Sequence, residues 1–225
     1  IARGSNTLPM VYQAQGRFPE AEPLYKQALA LREARLPPNH PDTVLSLNNL
    51  ATLYKDQNRL ALAEPLFVRA LKIRLATLSP VHPDLAVSLN NLGGLYQAQH
   101  RLNEARPLFE RALAIREKAL PASHPAIAQS LNNLGALYQA QKQFALAEPL
   151  LRRVVGLRQA SLPAGHVEIG NSINNLATAY FGMQRWADAE ADFKQALHIF
   201  ERALPPGHPS IANVIHNLAE LHFAR

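Results

Sequence analysis

The sequence contains no cysteine, one tryptophan and two methionines. No apolar run approaches the roughly 20 residues that cross a bilayer. The absence of cysteine excludes disulfide bonds, thiolate zinc sites and a catalytic cysteine, and it leaves the redox compartment open. The opening residues Ile1 to Asn6 lack a charged start followed by an apolar stretch, so no signal peptide is predicted. We therefore expect no membrane partner, favour a cytoplasmic location, and expect the chain to be a fragment of a longer protein.

Charge is scattered along the chain rather than clustered. The 225 residues include 23 basic and 17 acidic side chains, which gives a net charge of +6. Basic residues never exceed two in a row and seldom lie beside an aromatic residue, whereas a nucleic-acid-binding surface concentrates them. No nucleic-acid partner is predicted. The 48% of hydrophobic residues is enough to build a folded core.

A 42-residue repeat runs through the whole chain. One register is occupied by His40, His82, His124, His166 and His208, and all but His166 precede a proline. An Asn-Asn-Leu triplet and a tyrosine follow the same period, which is the signature of a stacked repeat protein. We predict one solenoid over residues 1–225, with repeats at about 1–41, 42–83, 84–125, 126–167 and 168–209 and a terminal helix over 210–225.

Each repeat predicts two amphipathic helices. Apolar residues between Leu47 and Tyr54 recur with helical spacing, which predicts a helix from Asp42 to Gln57. A second helix follows to about Leu78. We expect Pro65, whose register recurs at residues 23, 107 and 149, to lie near the first turn of that helix, where a missing N–H costs little. Pro9 lies inside the predicted first helix and is expected to disrupt it.

The helix pairs carry the motifs of a known family. Leu-small-x-x-Tyr in the first helix and Ala-x-x-x-Phe-x-x-Ala in the second resemble the tetratricopeptide repeat. The 42-residue period, with Leu-Asn-Asn-Leu-Ala at 47–51 and the His-Pro linker, resembles the kinesin light chain branch. Because one pair cannot bury its apolar stripe alone, we predict an all-α, right-handed superhelix of about five helix pairs plus a final helix.

A row of asparagines is the candidate site. Rotation by about 100° per residue places the second asparagine of each triplet opposite the apolar stripe, on a predicted concave groove. The row is Asn49, Asn91, Asn133 and Asn175, and beside it lie Asn48, Asn90, Asn132, Asn174, Thr52, Gln129 and Asn171. An amide can both donate to and accept from a peptide backbone. The resemblance implies that such rows bind extended peptides; the alternative is that the amides bridge adjacent helices without a ligand.

Three other registers have simpler interpretations. Histidines a full repeat apart cannot converge on one metal ion, so we predict loop packing or helix capping and no metal site. The arginine register (Arg32, Arg74, Arg116 and Arg158) is expected to hold the linker or the helix carbonyls, with an outer-surface binding role as the alternative. The serine register at residues 46, 88, 130 and 172 is expected to pack between repeats or at the surface. Trp186, with Phe181 and Met183, could form a local apolar pocket.

No catalytic constellation is found, so we predict a non-enzymatic scaffold without a cofactor. Its partner would be a protein or peptide segment lying along the groove, with specificity from small pockets around Thr52, Gly94, Ala136 and Phe181. One alternative is a regulatory or sensor arm that docks intramolecularly onto an enzymatic or signalling domain outside this chain. Another is end-to-end self-association.

Overall fold

The computed structural model describes residues 7–225; the opening residues Ile1 to Asn6, for which no leader is predicted, lie outside the described residues. Over residues 7–225 the chain forms eleven α-helices and no strand. They are α1 (Thr7–Ala14), α2 (Phe18–Arg35), α3 (Pro41–Asp56), α4 (Leu60–Thr77), α5 (Pro83–Ala98), α6 (Leu102–Ala119), α7 (Pro125–Ala140), α8 (Phe144–Ser161), α9 (Val167–Gly182), α10 (Trp186–Ala203) and α11 (Pro209–Ala224). The all-α prediction of five helix pairs and a final helix is confirmed for this part of the chain.

The helices form two compact units, α1 to α6 and α7 to α11. We call the odd-numbered helices A helices and the even-numbered ones B helices. Within each unit every helix packs on the next one along the chain. Leu47 and Phe67 are buried in the core of the first unit, and Ile173 and Phe193 in the core of the second. Each unit is therefore a stack of helix pairs, and a single solenoid over residues 1–225 stays a prediction.

The histidine register caps the A helices. His40 Nδ1 accepts a hydrogen bond from the N–H of Asp42 at 3.1 Å, and Pro41 fills the first helical position, where no intrahelical bond is lost. The same bond, at 3.1 to 3.2 Å, recurs at the other members of the register, which are His82, His124, His166 and His208. The capping interpretation is confirmed.

A second repeated device ends the A helices. Asn58 adopts a left-handed backbone (φ 58°), and the N–H of Arg59 returns to the carbonyl of Tyr54 at 2.8 Å. The turn also brings the Arg59 guanidinium 4.6 Å from the centre of the Tyr54 ring. Positive φ recurs at the same register at Gly16, His100, Lys142 and Gln184, so the same turn connects each A helix to its B helix.

The position at which the B helices begin decides the role of the proline register. Because α4 begins at Leu60, directly after that turn, Pro65 lies in its second turn and not in the first. Our expectation for this register, which includes Pro23, Pro107 and Pro149, is therefore wrong: each proline removes a bond to the carbonyl four residues before it. Pro65 and Ala61 are both exposed, so the freed carbonyl lies on the solvent side of the helix.

Pro9 lies within α1 (Thr7–Ala14) and is buried, and the helix continues from it to Ala14. The hydrogen bond that a proline removes would run to the carbonyl of residue 5, which lies outside the described residues. The predicted disruption of the first helix at Pro9 therefore stays a prediction.

In α2, α4 and α8 a member of the arginine register joins the B helix to the A helix that follows. Arg74 Nη1 donates to the carbonyl of Asp84 at 2.6 Å and to Ser88 Oγ at 3.0 Å. Arg158 makes the equivalent bonds to Glu168 and Ser172, and Arg32 donates to Ser46 Oγ. The arginines thus hold carbonyls of the following helix and not of their own. Arg32, Arg74 and Arg116 are buried, so they do not lie on the outer surface. Burial also lowers the pKa of the Arg74 and Arg116 guanidinium groups.

The last repeat replaces this polar contact by an apolar one. Phe200 and Val214 occupy the registers of Arg74 and Ser88, and both are buried. Gly170 accommodates the ring, since a Cβ at this position would lie 2.6 Å from Phe200 Cε1. The arginine and the serine change together, which indicates that they act as one unit of packing.

Candidate peptide-binding site

The predicted asparagines lie near the middle of the A helices at one register. The second asparagines, Asn49, Asn91, Asn133 and Asn175, are all half-buried, as is Asn217 in α11. Of the first asparagines, Asn48 and Asn90 are only 9% exposed, while Asn132 and Asn174 are half-buried. We call the second asparagines, together with Thr52, Gln129 and Asn171, the asparagine face. In α3 and α5 the second asparagine is therefore more exposed to solvent than the first.

In the second unit the amides bridge neighbouring A helices. Asn175 Nδ2 donates to Asn132 Oδ1 at 3.0 Å, and Asn217 Nδ2 donates to Asn174 Oδ1 at 3.2 Å. Gln139 adds a bond from α7 to the backbone carbonyl of Asn175 at 2.8 Å. The bridging interpretation thus describes α7, α9 and α11. Each bridge uses one hydrogen of the donating amide, and a primary amide has a second hydrogen and an acceptor oxygen besides.

In the first unit this bridge is not made. The Oδ1 atom of Asn48 is buried and accepts no hydrogen bond from any residue between 7 and 225. The residue in the donor register is Asn91, on the next A helix, and it is half-buried. A buried acceptor without a donor costs about 1–3 kcal/mol. The Asn48 oxygen of α3 lacks the N–H donor that Asn132 of α7 and Asn174 of α9 each have.

The remaining residues of the asparagine face differ in exposure. Gln129 and Asn171 are exposed near the start of α7 and α9, and Thr52 is half-buried one turn after Asn49. Leu45, in the register of Gln129, is 48% exposed, which gives the first unit an apolar contact where the second has an amide. Asp56 at the end of α3 accepts a bond from Gln13 Nε2 at 2.7 Å. The face is therefore mostly uncharged, in line with the sequence prediction.

Two equivalent clefts open at the edge of this face, one in each unit. The first is a cleft of about 120 Å³ with Leu45 and Arg74 in its lining, and the second is a cleft of about 410 Å³ with Gln129 and Arg158 in its lining. Each lies where two successive A helices begin and the B helix between them ends. Every lining residue of the smaller cleft has its counterpart, two repeats later, in the larger one.

Smaller side chains explain the larger volume of the second cleft. Asp42, Val44 and Thr77 of the first unit are replaced by alanine, alanine and serine at positions 126, 128 and 161. From one helix face alone, the specificity pockets were predicted further along the A helices, around Thr52, Gly94, Ala136 and Phe181. The sequence feature that indicates this cleft is the smaller side chains at positions 126, 128 and 161, which lie on two different helices.

The predicted pocket around Trp186 is filled by its own members. The Phe181 and Trp186 rings pack edge to face with centroids 5.4 Å apart. Both rings and Met183 are half-buried against the core of the second unit.

Across residues 7–225 no group of three or more His, Asp or Glu side chains is placed to hold a metal ion. None of the described helices has the length and hydropathy to span a bilayer.

Comparison with protein families identifies the repeat. A tetratricopeptide repeat model matches residues 2–76 and 80–160, and a second tetratricopeptide repeat model matches residues 170–210. The chain therefore belongs to the tetratricopeptide repeat family. No curated protein sequence matches the chain.

Solved structures place it with the kinesin light chain-like repeats. One is a Podosopora anserina protein, described as a kinesin light chain with nearly identical TPR-like repeats. Its sequence is 29% identical to this chain, with a TM-score of 0.76 over 90% of this chain and 97% of that one. BtubC (BKLC) from P. vanneervenii is 25% identical, with a TM-score of 0.77 over 89% of this chain and 80% of that one. The apo form of RapI shares the fold at 16% identity, with a TM-score of 0.75 over 97% of this chain and 83% of that one.

The predicted family and its branch are confirmed by these matches. Tetratricopeptide repeats are in general scaffolds for protein–protein interaction and are typically not enzymes. The coarse function predicted from the sequence, a protein-interaction scaffold, agrees with this family.

Proposed function

We propose that the chain is a non-enzymatic interaction module that binds an extended segment of a partner protein along the asparagine face of its A helices. The observation that carries the proposal is the repeated, half-buried primary amide at one register of every A helix from α3 to α11. A row of identical amides suits a ligand whose own hydrogen-bonding groups repeat. The peptide backbone is such a ligand, because it offers an N–H and a carbonyl at each residue.

The hydrogen-bonding chemistry supports capture of a backbone. Asn175 and Asn217 each donate one N–H to the preceding A helix, and this bond orients the amide before a ligand binds. The remaining oxygen and second hydrogen can accept from and donate to an extended chain. Orienting a binding group in advance reduces the entropy lost on association.

The surroundings of the amides suit an uncharged contact. Gly94 and Ala136, one turn after Asn91 and Asn133, leave little side-chain bulk beside them. The clefts next to Leu45 and Gln129 offer space for one ligand side chain in each unit. Recognition would then combine main-chain hydrogen bonds, which give affinity, with side-chain contacts in the clefts, which select the sequence.

A displayed library of random peptides tests the proposal without knowledge of the natural partner. Peptides selected on the wild-type chain are measured individually against Asn91→Ala and Asn133→Ala. We expect each substitution to weaken binding by about fivefold or more, since a lost hydrogen bond is worth about 1 kcal/mol. Far-UV circular dichroism checks that helix content is retained.

Two controls make the result interpretable. Gln27→Ala changes an exposed amide side chain of the B helix α2, which carries no residue of the asparagine face, and we expect it to leave binding within about twofold. A free peptide with N-methylated backbone amides should bind less well than its unmodified form, because it cannot donate to the asparagine oxygens. Selected peptides that are indifferent to both asparagine substitutions would contradict the proposal.

Docking through the end of the second unit is the second candidate, and two exposed apolar residues favour it. Phe223 is 89% exposed and Ile215 is 51% exposed, on the outer face of α11. An interaction that is lost in Ile215→Asp or Phe223→Asp but not in the asparagine variants would be self-association or intramolecular docking through this end. The cytoplasmic location stays a prediction from the sequence.

A further inference from the structure

We propose a second binding site, separate from the asparagine face: a cleft between the B helices α8 and α10 that binds an acidic segment of a protein partner. The cleft has a volume of about 680 Å³, within the range of about 300–1,000 Å³ that is typical of ligand sites. Its lining includes Ile169, Gln159, Gln195, His198 and Arg202, and no residue of the asparagine face. It lies entirely within the second unit.

The floor and the rim of the cleft have different chemistry. Ile169 and Ile199 are buried at its base, and Gly165, in a left-handed turn with φ of 85°, leaves one wall without a side chain. The rim carries four exposed polar side chains, which are Gln159, Gln195, His198 and Arg202. None of these four makes a side-chain hydrogen bond or ion pair within residues 7–225, and no carboxylate lines the cleft.

The equivalent gaps of the first unit carry different side chains. Between α2 and α4 the registers of Gln159 and Gln195 hold Glu33 and Arg69, which form an ion pair across the gap. Between α4 and α6 the registers of Gln159 and Gly165 hold Leu75 and Val81, two larger apolar side chains. At the α8–α10 cleft neither the ion pair nor the two larger apolar side chains are present.

The lining selects an anionic ligand with an apolar part. Arg202 supplies a permanent positive charge, and its planar guanidinium can bind a carboxylate with two hydrogen bonds. Gln159 and Gln195 can donate to the same oxygens, while Ile169 and Ile199 would cover an aliphatic side chain next to the acid. We therefore assign the ligand as a peptide segment in which an apolar residue lies next to an acidic one.

Titration with a capped peptide of a central leucine flanked by glutamates, and with its lysine counterpart, tests this site. We expect the glutamate peptide to bind and to shift the backbone amide NMR signals of Gly165, Ile199 and Arg202. Arg202→Glu should weaken that binding by about tenfold, because it reverses the charge facing the ligand. Lys118→Glu, the same change at the equivalent register of α6, should alter it by less than about twofold.

A closing variant separates the cleft from general charge attraction. The double variant Gln159→Glu, Gln195→Arg recreates the ion pair of Glu33 and Arg69 at constant net charge, and we expect it to reduce binding by about tenfold. Absence of binding, equal binding of the lysine peptide, or indifference to Arg202→Glu and to the closing variant would each overturn the proposal. Asn91→Ala should leave this binding unchanged, so failure here and failure at the asparagine face are independent results.

Discussion

The two units are built from the same 42-residue repeat, yet they use equivalent positions for different contacts. In the second unit Asn175 donates to Asn132 at 3.0 Å, whereas in the first the buried Asn48 oxygen accepts no bond from residues 7–225. The cleft beside Arg74 measures about 120 Å³ and its counterpart beside Arg158 about 410 Å³. The helix ends, by contrast, are the same in both. Caps and turns therefore hold the repeat in register, while the side chains between A helices are free to differ.

The largest effect on stability is expected when an apolar contact of the second unit is replaced by the polar contact that the first unit has at the same registers. Phe200→Arg should lower the free energy of unfolding by about 3 kcal/mol, because it buries a charge without a partner. Adding Val214→Ser recreates the pair formed by Arg74 and Ser88, and we expect the double variant to recover at least about 1 kcal/mol.

Urea unfolding followed by the fluorescence of Trp186, the one tryptophan of the chain, reports on the unit in which these changes lie. Strictly additive effects of the two substitutions would show that arginine and serine do not act as a pair.

The glycines give a comparison of intermediate size. Gly170→Ala should cost about 1–3 kcal/mol, because its Cβ would lie 2.6 Å from Phe200 Cε1. Gly94→Ala in α5 has nothing within 4 Å of the new methyl group and should instead stabilise the first unit by up to about 1 kcal/mol. Thermal unfolding monitored by circular dichroism measures both. Equal effects would contradict the packing described around Phe200.

The asparagine bridge predicts an asymmetry between the units. Asn175→Ala should lower the free energy of unfolding by about 1 kcal/mol, because it removes the bond to Asn132 and leaves that oxygen without a donor. Asn91→Ala, at the same register of the first unit, should cost less, since no such bond is present there. Urea unfolding of the two variants measures the difference, and a larger loss for Asn91→Ala would reverse the comparison.

The smallest effect concerns an ion pair between repeats. Arg101 Nη1 contacts Glu64 at 2.9 Å, and hydrogen bonds from Gln99 and Arg101 lower the pKa of the Glu64 carboxyl. Because the pKa of Glu64 is lower in the folded chain, the ionised carboxyl stabilises the fold at pH values above the unfolded pKa of about 4.3. This contribution is lost as the pH falls through the folded pKa. Glu64→Gln should therefore cost less than about 1 kcal/mol at neutral pH and nothing in acid.

Glu148, at the equivalent register of the second unit, pairs with Arg152 of its own helix and provides the control. Stability curves for both glutamine variants from neutral to acid pH would reveal the difference. A loss for Glu64→Gln that persists in acid would exclude the ion pair as its cause.

Much of the fold could be predicted from the sequence because local rules determine it. The spacing of Leu47, Leu50 and Tyr54 defines a helix face, and the predicted helix from Asp42 to Gln57 differs from α3 by one residue at each end. The histidine caps follow from the recurrence of histidine directly before each A helix, with proline next at all members of the register except His166. The expectation for Pro65 was wrong because α4 begins directly after Arg59, and the spacing of its apolar residues alone does not show in which turn the proline lies.

The candidate site was less predictable because it depends on distances between helices. Helical rotation placed Asn49 further from the apolar stripe than Asn48, and the structure has Asn49 half-buried and Asn48 buried. It could not tell whether an amide would reach the neighbouring A helix, as that of Asn175 does. The α8–α10 cleft arises from what is missing at Gln159, Gln195 and Gly165 relative to the earlier repeats. Such an absence becomes visible only when equivalent registers are compared in three dimensions.

The central claim is that the asparagine face binds peptide backbone, and one measurement tests it most directly. Peptides selected on the wild-type chain are titrated against Asn91→Ala and Asn175→Ala, with the free energy of unfolding of each variant measured in parallel. We predict that Asn91→Ala weakens peptide binding by about fivefold or more while changing stability least, because its amide is not committed to a bridge. Full-strength binding by both variants, with a loss of stability in Asn175→Ala alone, would show that the asparagines only join the helices.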